Sequence, residues 1–295
     1  MTIASLVVTK GHRFPRDAFY TMFDELPGVA ATHVEHPAAQ LFFTPEHAAR
    51  WDAFVLYDMP GFEFRADRGP PRLVPPSPQF VAGFQHVLEA GHGFVFLHHA
   101  LAGWPAWEEF ADIIGGRFHY SPSGQQPDSG YRLDVRHRVS VERPDHPVVA
   151  GLGDGFDLDD ELYLADVHED QIEPLLRSDF EFVDGNFFSA ALAVAGWRNS
   201  REGWSHPRGS DVVAWVRPHP TSRIVYIQPG DGEPTFANPA YRRLLANAIT
   251  WVAGAREARV SGGAHSSEPP ANHRSNIGLA TEVTGPRRNP AGERT

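Results

Sequence analysis

The sequence predicts an α/β protein in which a mostly parallel sheet carries helices on both faces. Two observations lead there. Short apolar runs, ASLVVTKG (4–11), WDAFVLYDMPG (51–61) and GFVFLHH (93–99), have the length and the β-branched or aromatic content of buried strands. Segments with apolar residues at helical spacing, RDAFYTMFDEL (16–26) and PQFVAGFQHVLEAG (78–91), alternate with them. Strands that alternate with helices pair in parallel, because each helix is the crossover that returns the chain to the same end of the sheet.

Taken in order, the first strand closes on Gly11 and passes directly into the first helix, and GVAATHVE (28–35) reads as the next strand. In the helix over 78–91, Phe80, Phe84, Val87 and Leu88 fall on one face, and Gly91 is placed to end it in the left-handed conformation. The insert FRADRGPPRLVPPSP (64–78) holds too much proline for regular structure and reads as a surface loop. WPAWEEFADIIGG (104–116) predicts a helix, with Trp104 and Trp107 on one face. YRLDVRHRVSVE (131–142) alternates like a half-buried strand, and FDLDDELYLADV (156–167), SDVVAWV (210–216) and SRIVYIQPGDG (222–232) supply further strands. The last helix spans 238–254, with Asn238 as N-cap, Pro239 at its first position and Tyr241, Leu244, Leu245, Ala248 and Trp251 facing inward. One domain is therefore expected over residues 1–254, and the polar, aperiodic stretch 255–295 reads as a disordered tail.

Composition removes several classes of function. A net charge of -11 opposes sequence-independent nucleic-acid binding, which needs basic residues to neutralise phosphates. The absence of cysteine excludes disulfides, thiolate metal sites and any thiol nucleophile. Lys10 is the only lysine, so a Schiff-base mechanism would have to use it. No apolar stretch approaches the ~20 residues that span a bilayer, and the run Ile3 to Val8 lacks the basic segment of a secretory signal. The expectation is a cytoplasmic protein whose partner is a small molecule, neither nucleic acid nor membrane; whether it forms a homo-oligomer stays open.

In open sheets of this kind, ligands bind beyond the carboxyl ends of the parallel strands. That rule selects Lys10 to Arg13, Asp58 to Gly61, His98 to Ala102 and Gly230 to Glu233, and DDELYLADVH (159–168) adds a fifth polar cluster. His98 and His99 end the most strand-like run and are the first candidates for acid–base chemistry, with Asp231. His12, Asp58, Trp104, Asp160, Glu161 and Tyr163 are candidates for holding a ligand. His12, His98, Glu161 and Asp231 together offer nitrogen and oxygen donors without sulfur, a set suited to a divalent metal such as zinc or manganese in an open site.

The segments VVTKGHRF (7–14), FVLYDMP (54–60), GFVFLHHALAGWPAWEEFADIIGGRF (93–118), DHPVVAGL (145–152), DDELY (159–163) and RIVYIQPGDGEPTFANPAYRRLLANAITW (223–251), in that order and spacing, resemble the ThuA-like, trehalose-utilisation family. The likeness runs from about residue 3 to 254. It implies a three-layer, flavodoxin-like fold related to the class I glutamine amidotransferases, and a role in bacterial carbohydrate metabolism, on trehalose-type disaccharides or their 3-keto forms. In those amidotransferases the equivalent strand-to-helix elbow presents a nucleophilic cysteine. Here His98 or His99 stands there, so glutaminase chemistry is excluded. The family's final strand usually ends in Gly-His, whereas this chain has Gly230-Asp231.

Two functions follow from these residues. In one, the protein is a lyase or hydrolase cleaving a keto-glycoside, with an imidazole moving a proton next to a carbonyl. In the other, it is a noncatalytic sugar-binding or interaction protein that keeps the fold without its nucleophile.

Overall fold

The computed structural model describes residues 2–263. Ten strands form one sheet: β1 (Ile3–Lys10), β2 (Val29–Glu35), β3 (Ala53–Asp58), β4 (Gly93–Leu97), β5 (Gly130–Val141), β6 (Gly155–Leu164), β7 (Glu173–Ser178), β8 (Phe188–Ser189), β9 (Val212–Arg217) and β10 (Ile224–Ile227). Their order is β8-β5-β7-β9-β10-β4-β3-β1-β2, with β6 paired to β5. From β2 to β10 every pairing is parallel. Beyond β10 the sheet continues through antiparallel pairings, in which β5–β6 and β9–β10 join strands consecutive in the chain.

Alternation along the parallel strands divides the core into two layers around the sheet. Val7, Val55, Val95, Leu97, Val225 and Ile227 pack with α1 (Arg16–Asp24) and with the terminal helix α4 (Pro239–Gly263), through Phe19, Met22, Tyr241, Leu245 and Ile249. Leu6, Val8, Phe54, Leu56, Phe94 and Phe96 pack on the other face with α2 (Pro78–Glu89) and α3 (Glu108–Ile114). Both faces of each central strand are therefore apolar, which is why those strands read as continuous hydrophobic runs.

Several elements differ from the sequence reading. The helix expected over 104–116 starts at Glu108. Pro105 keeps Trp104 out of the helical region, and Trp104 turns left-handed, φ +46°, with its N–H donated to Pro60 O. Strand β7 escaped detection because EPLLRS is short, carries Pro174 and pairs with β9 through two register shifts. The last helix runs on past Gly254 to Gly263, through a sequence rich in the strong helix formers Ala, Arg and Glu. Residues 264–295 of the expected tail lie outside the described residues.

Strand β5 alternates as expected, with Val135, His137 and Val139 buried between exposed Asp134, Arg136 and Arg138. His137 sits at 4% exposure with Nδ1 2.8 Å from Ser178 Oγ, and burial lowers its pKa to about 4 against the weaker pull of Asp179 and Asp159. A lowered folded-state pKa means that the unfolded chain takes up the proton first, so stability is full above about pH 6.5 and is lost as pH falls toward 4. Thermal melts at pH 7 and pH 5 should show a smaller acid-side loss for His137→Gln than for the parent. Equal losses in the two proteins would show that this imidazole is not a source of acid lability.

Candidate functional site

Strand β4 ends at Leu97, and the chain turns at His98 with φ +49°. A non-glycine residue rarely holds that conformation unless its surroundings enforce it. Here the surroundings are hydrogen bonds: His98 Nδ1 donates to Gln228 O at 2.8 Å, and His98 O accepts from the Tyr226 hydroxyl at 2.9 Å. The elbow residue is thus His98, and it is tied to the neighbouring strand β10 at both ends.

The other ring nitrogen of His98 points at three oxygens. Nε2 lies 2.6 Å from Tyr163 Oη, 3.1 Å from Glu161 Oε2 and 3.5 Å from Asp231 Oδ1. Burial alone would lower the pKa of this imidazole, but hydrogen bonds to Asp231 and Glu161, and their charges, overcome it and raise it to about 10. His98 is therefore a cation at neutral pH, donating from both nitrogens. Burial, then the charge of Glu161, holds the Tyr163 phenol well above its ordinary pKa. Tyr163 stays protonated, and with its oxygen accepting from His98 its own hydrogen is left to donate elsewhere.

His99 has the opposite environment. It is buried at 2% exposure, packs against Tyr57 at 4.2 Å and His12 at 5.1 Å between ring centroids, and neither ring nitrogen makes a hydrogen bond of good geometry. Burial, then the neighbouring imidazoles of His98 and His12, push its pKa well down, offset only in part by the Tyr57 backbone. Neither imidazole suits the proton-transfer role that the sequence suggested, since one is a locked cation and the other a buried neutral ring.

Asp160 is spent on backbone. Its Oδ2 accepts from Gly230 N at 2.6 Å, and its Oδ1 accepts from Asp231 N at 3.0 Å and Glu161 N at 2.9 Å. Burial raises its pKa to about 6, against the lowering influence of His98 and those amides. Gly230, at φ +143°, completes the turn, because a Cβ there would lie 2.8 Å from Tyr241 Oη. Asp160 thus positions the loop that carries Asp231, whose carboxyl is held below its usual pKa by the hydrogen bond and charge of His98 in spite of burial.

Three of the candidate residues reach a cleft of about 580 Å³. His12, Glu161 and Tyr163 line it, together with Phe64, Phe118, Tyr120, Tyr131, Arg198 and Asn199. The hairpin of β5 and β6 brings Tyr131 opposite Tyr163, and a register shift between Arg132 and Val135 interrupts the ladder beside them. Among the described residues, His12, Glu161 and Asp231 are the group able to hold a metal ion, with one donor atom from each within 4.8 Å of the others. His98, counted as a donor from sequence, is not in that set.

Asp58 and Trp104 are elsewhere. Asp58 is buried against His36, Oδ2 to Nε2 2.8 Å, and the His36 ring meets Trp104 at 5.8 Å beside a recess of about 220 Å³ that Lys10 also lines. The sequence reading missed Gln228, whose carbonyl accepts from His98 and whose Oε1 accepts from Tyr163 N at 3.0 Å. Its one signal was a polar residue directly after the run IVYI. Tyr120 and Tyr131 gave none, since a cleft wall and a core ring are the same residue types in sequence.

The family model for ThuA, described as trehalose utilisation, matches residues 9–252. The chain belongs to the ThuA family. A ThuA-like protein from Parabacteroides merdae shares 15% identity, 86% of this chain and 90% of its own, at a TM-score of 0.59. One from Bacteroides uniformis shares 17% identity over 85% of this chain and 91% of its own, at 0.55. A cytoplasmic protein from Salmonella typhimurium shares 12% identity over 84% and 98%, at 0.54. At these identities the likeness speaks for the fold, and it agrees with the three-layer α/β arrangement of this ThuA chain. No curated protein matches. No helix among the described residues is long and apolar enough to cross a membrane.

Removing Asp160 should show how much the loop depends on it. Asp160→Ala leaves three backbone amides without their acceptor and should cost about 2–4 kcal/mol in urea unfolding, whereas Asp160→Asn, which keeps one acceptor, should cost about half as much. A loss under about 0.5 kcal/mol for the alanine variant would mean that water replaces the carboxylate freely.

Proposed function

We propose that this ThuA protein binds a trehalose-type disaccharide or its 3-keto derivative in the cytoplasm and cleaves the keto form by acid–base chemistry. The observation that carries this reading is the cleft itself, aromatic along its walls and ending on Glu161 and Tyr163, with a volume of about 580 Å³ in the range of small-molecule sites. Aromatic walls suit the apolar faces of sugar rings, and the carboxylates and phenol suit hydroxyls.

A keto group makes the neighbouring C–H acidic. Glu161 removes that proton, and the Tyr163 phenol donates to the carbonyl oxygen as enolate charge develops. The glycosidic C–O bond then breaks as the enolate collapses, and the proton on Glu161 passes to the leaving oxygen. His98 is a positioning residue here: its Nε2 contacts both Tyr163 and Glu161, fixing the donor and the base relative to each other.

A binding-only reading is favoured by one observation, the complete pairing of His98 with Gln228, Glu161 and Tyr163, which leaves the most basic imidazole no access to a ligand. The two readings separate in one experiment. With 3-keto-trehalose followed by NMR, Tyr163→Phe and Glu161→Gln should each slow product formation at least tenfold, about 1.4 kcal/mol of transition-state stabilisation, with melting temperatures unchanged. Binding without product in the parent protein points to the noncatalytic role. No thermal shift with either sugar sinks both.

A further inference from the structure

We propose that His12, Glu161 and Asp231 form an open divalent-metal site beside the cleft, of the manganese or zinc class, whose remaining coordination positions take adjacent oxygens of the ligand. The part about ligand oxygens rests on sugar binding in the cleft and not on Glu161 acting as a base, a role that coordination would replace; the site itself rests on three features of the geometry.

The donors converge from three separate segments of the chain: His12 follows β1, Glu161 lies in β6 and Asp231 follows β10. One donor atom from each lies within 4.8 Å of the other two. Bonds of ~2.1 Å to a common ion hold donor atoms roughly 3.0–4.2 Å apart, so a small rotation of the two half-buried side chains closes the set. His12 and Asp231 have that freedom, at 34% and 29% side-chain exposure.

The set contains an unpaired donor. His12 Nδ1 is shielded from solvent without a hydrogen-bond partner, 3.9 Å from Asp231 Oδ1, too far for a hydrogen bond and within the span that a shared ion would bridge. The carboxylates are also held from behind, as metal ligands are. Glu161 Oε2 contacts His98 Nε2, and the loop of Asp231 is fixed by Asp160 through two backbone amides. Two carboxylates and one imidazole with no thiolate favour manganese or zinc, and a three-ligand set of which His12 and Glu161 line the cleft leaves room for exchange.

The test uses the full chain stripped with EDTA and titrated with Mn²⁺ or Zn²⁺ alone, read by calorimetry and by the manganese EPR signal. One ion should bind per chain, and His12→Gln and Asp231→Asn should each weaken it by about a hundredfold or more with circular dichroism and melting temperature unchanged. No stoichiometric binding by the parent, or unchanged affinity in both variants, overturns the site. Sugar titration of the stripped protein is run separately. Retained sugar binding alongside absent metal binding overturns this site alone, and metal binding without any sugar binding supports the site while removing the sugar reading.

Discussion

The hydrogen bond from His98 Nδ1 to Gln228 O is the constraint on which the site depends. Strands β4 and β10 pair in register as far as Leu97 and Ile227, and there the ladder stops because the chain turns away at His98. The next carbonyl, that of Gln228, would be left without a donor in a buried place, and the imidazole supplies one. That bond extends the sheet by one step through a side chain. It also offsets the cost of the left-handed backbone at His98, about 1–2 kcal/mol, since a buried carbonyl left unpaired would cost about as much. Losing it would free the turn and scatter the oxygens that face Nε2.

Fixing one nitrogen of the ring decides the electrostatics of the other. With Nδ1–H committed to a carbonyl, Nε2 is aimed at Glu161, Asp231 and Tyr163, and two carboxylates around one imidazole keep it protonated. Asp160 adds a third carboxylate nearby, satisfied by backbone amides rather than by a cation. The end of the cleft therefore holds more negative than positive charge, in a chain whose net charge is itself -11. Such a field disfavours anionic ligands at that end and is compatible with neutral, hydroxyl-rich ones. Ligand class is thus constrained by charge as well as by shape.

The parallel half of the fold was legible because two-sided burial writes itself as continuous apolar runs, and helices such as 78–89 carry their capping and facing residues in order. The antiparallel half was legible only in pieces: β5 announces itself by alternation, whereas β7 is too short and too irregular. At the site, the rule that ligands gather at strand ends picked out His12, His98 and Asp231, which the fold brings together. It failed to separate them from Asp58 because it ignores parity. Lys10 and Asp58 are register partners, one step along from Thr9 and Tyr57, so their side chains leave on the face of Val8 and Leu56. Tyr57 and His99 leave on the opposite face, beside His12. Five polar clusters at one rim therefore became two recesses, a division that alternation implies once the register is known.

Histidine at the elbow also changes what the elbow is for. A nucleophilic thiolate at a tight turn needs neighbours that stabilise an anion, such as backbone amides or a cation. The neighbours here are Glu161 and Asp231, which would repel an anion and instead stabilise an imidazolium. The residue at the turn and the carboxylates around it are matched in sign, so exchanging His98 alone for a nucleophile would place it in a field that disfavours its reactive form. The acidic neighbours suit an elbow whose imidazolium holds charge in place between them.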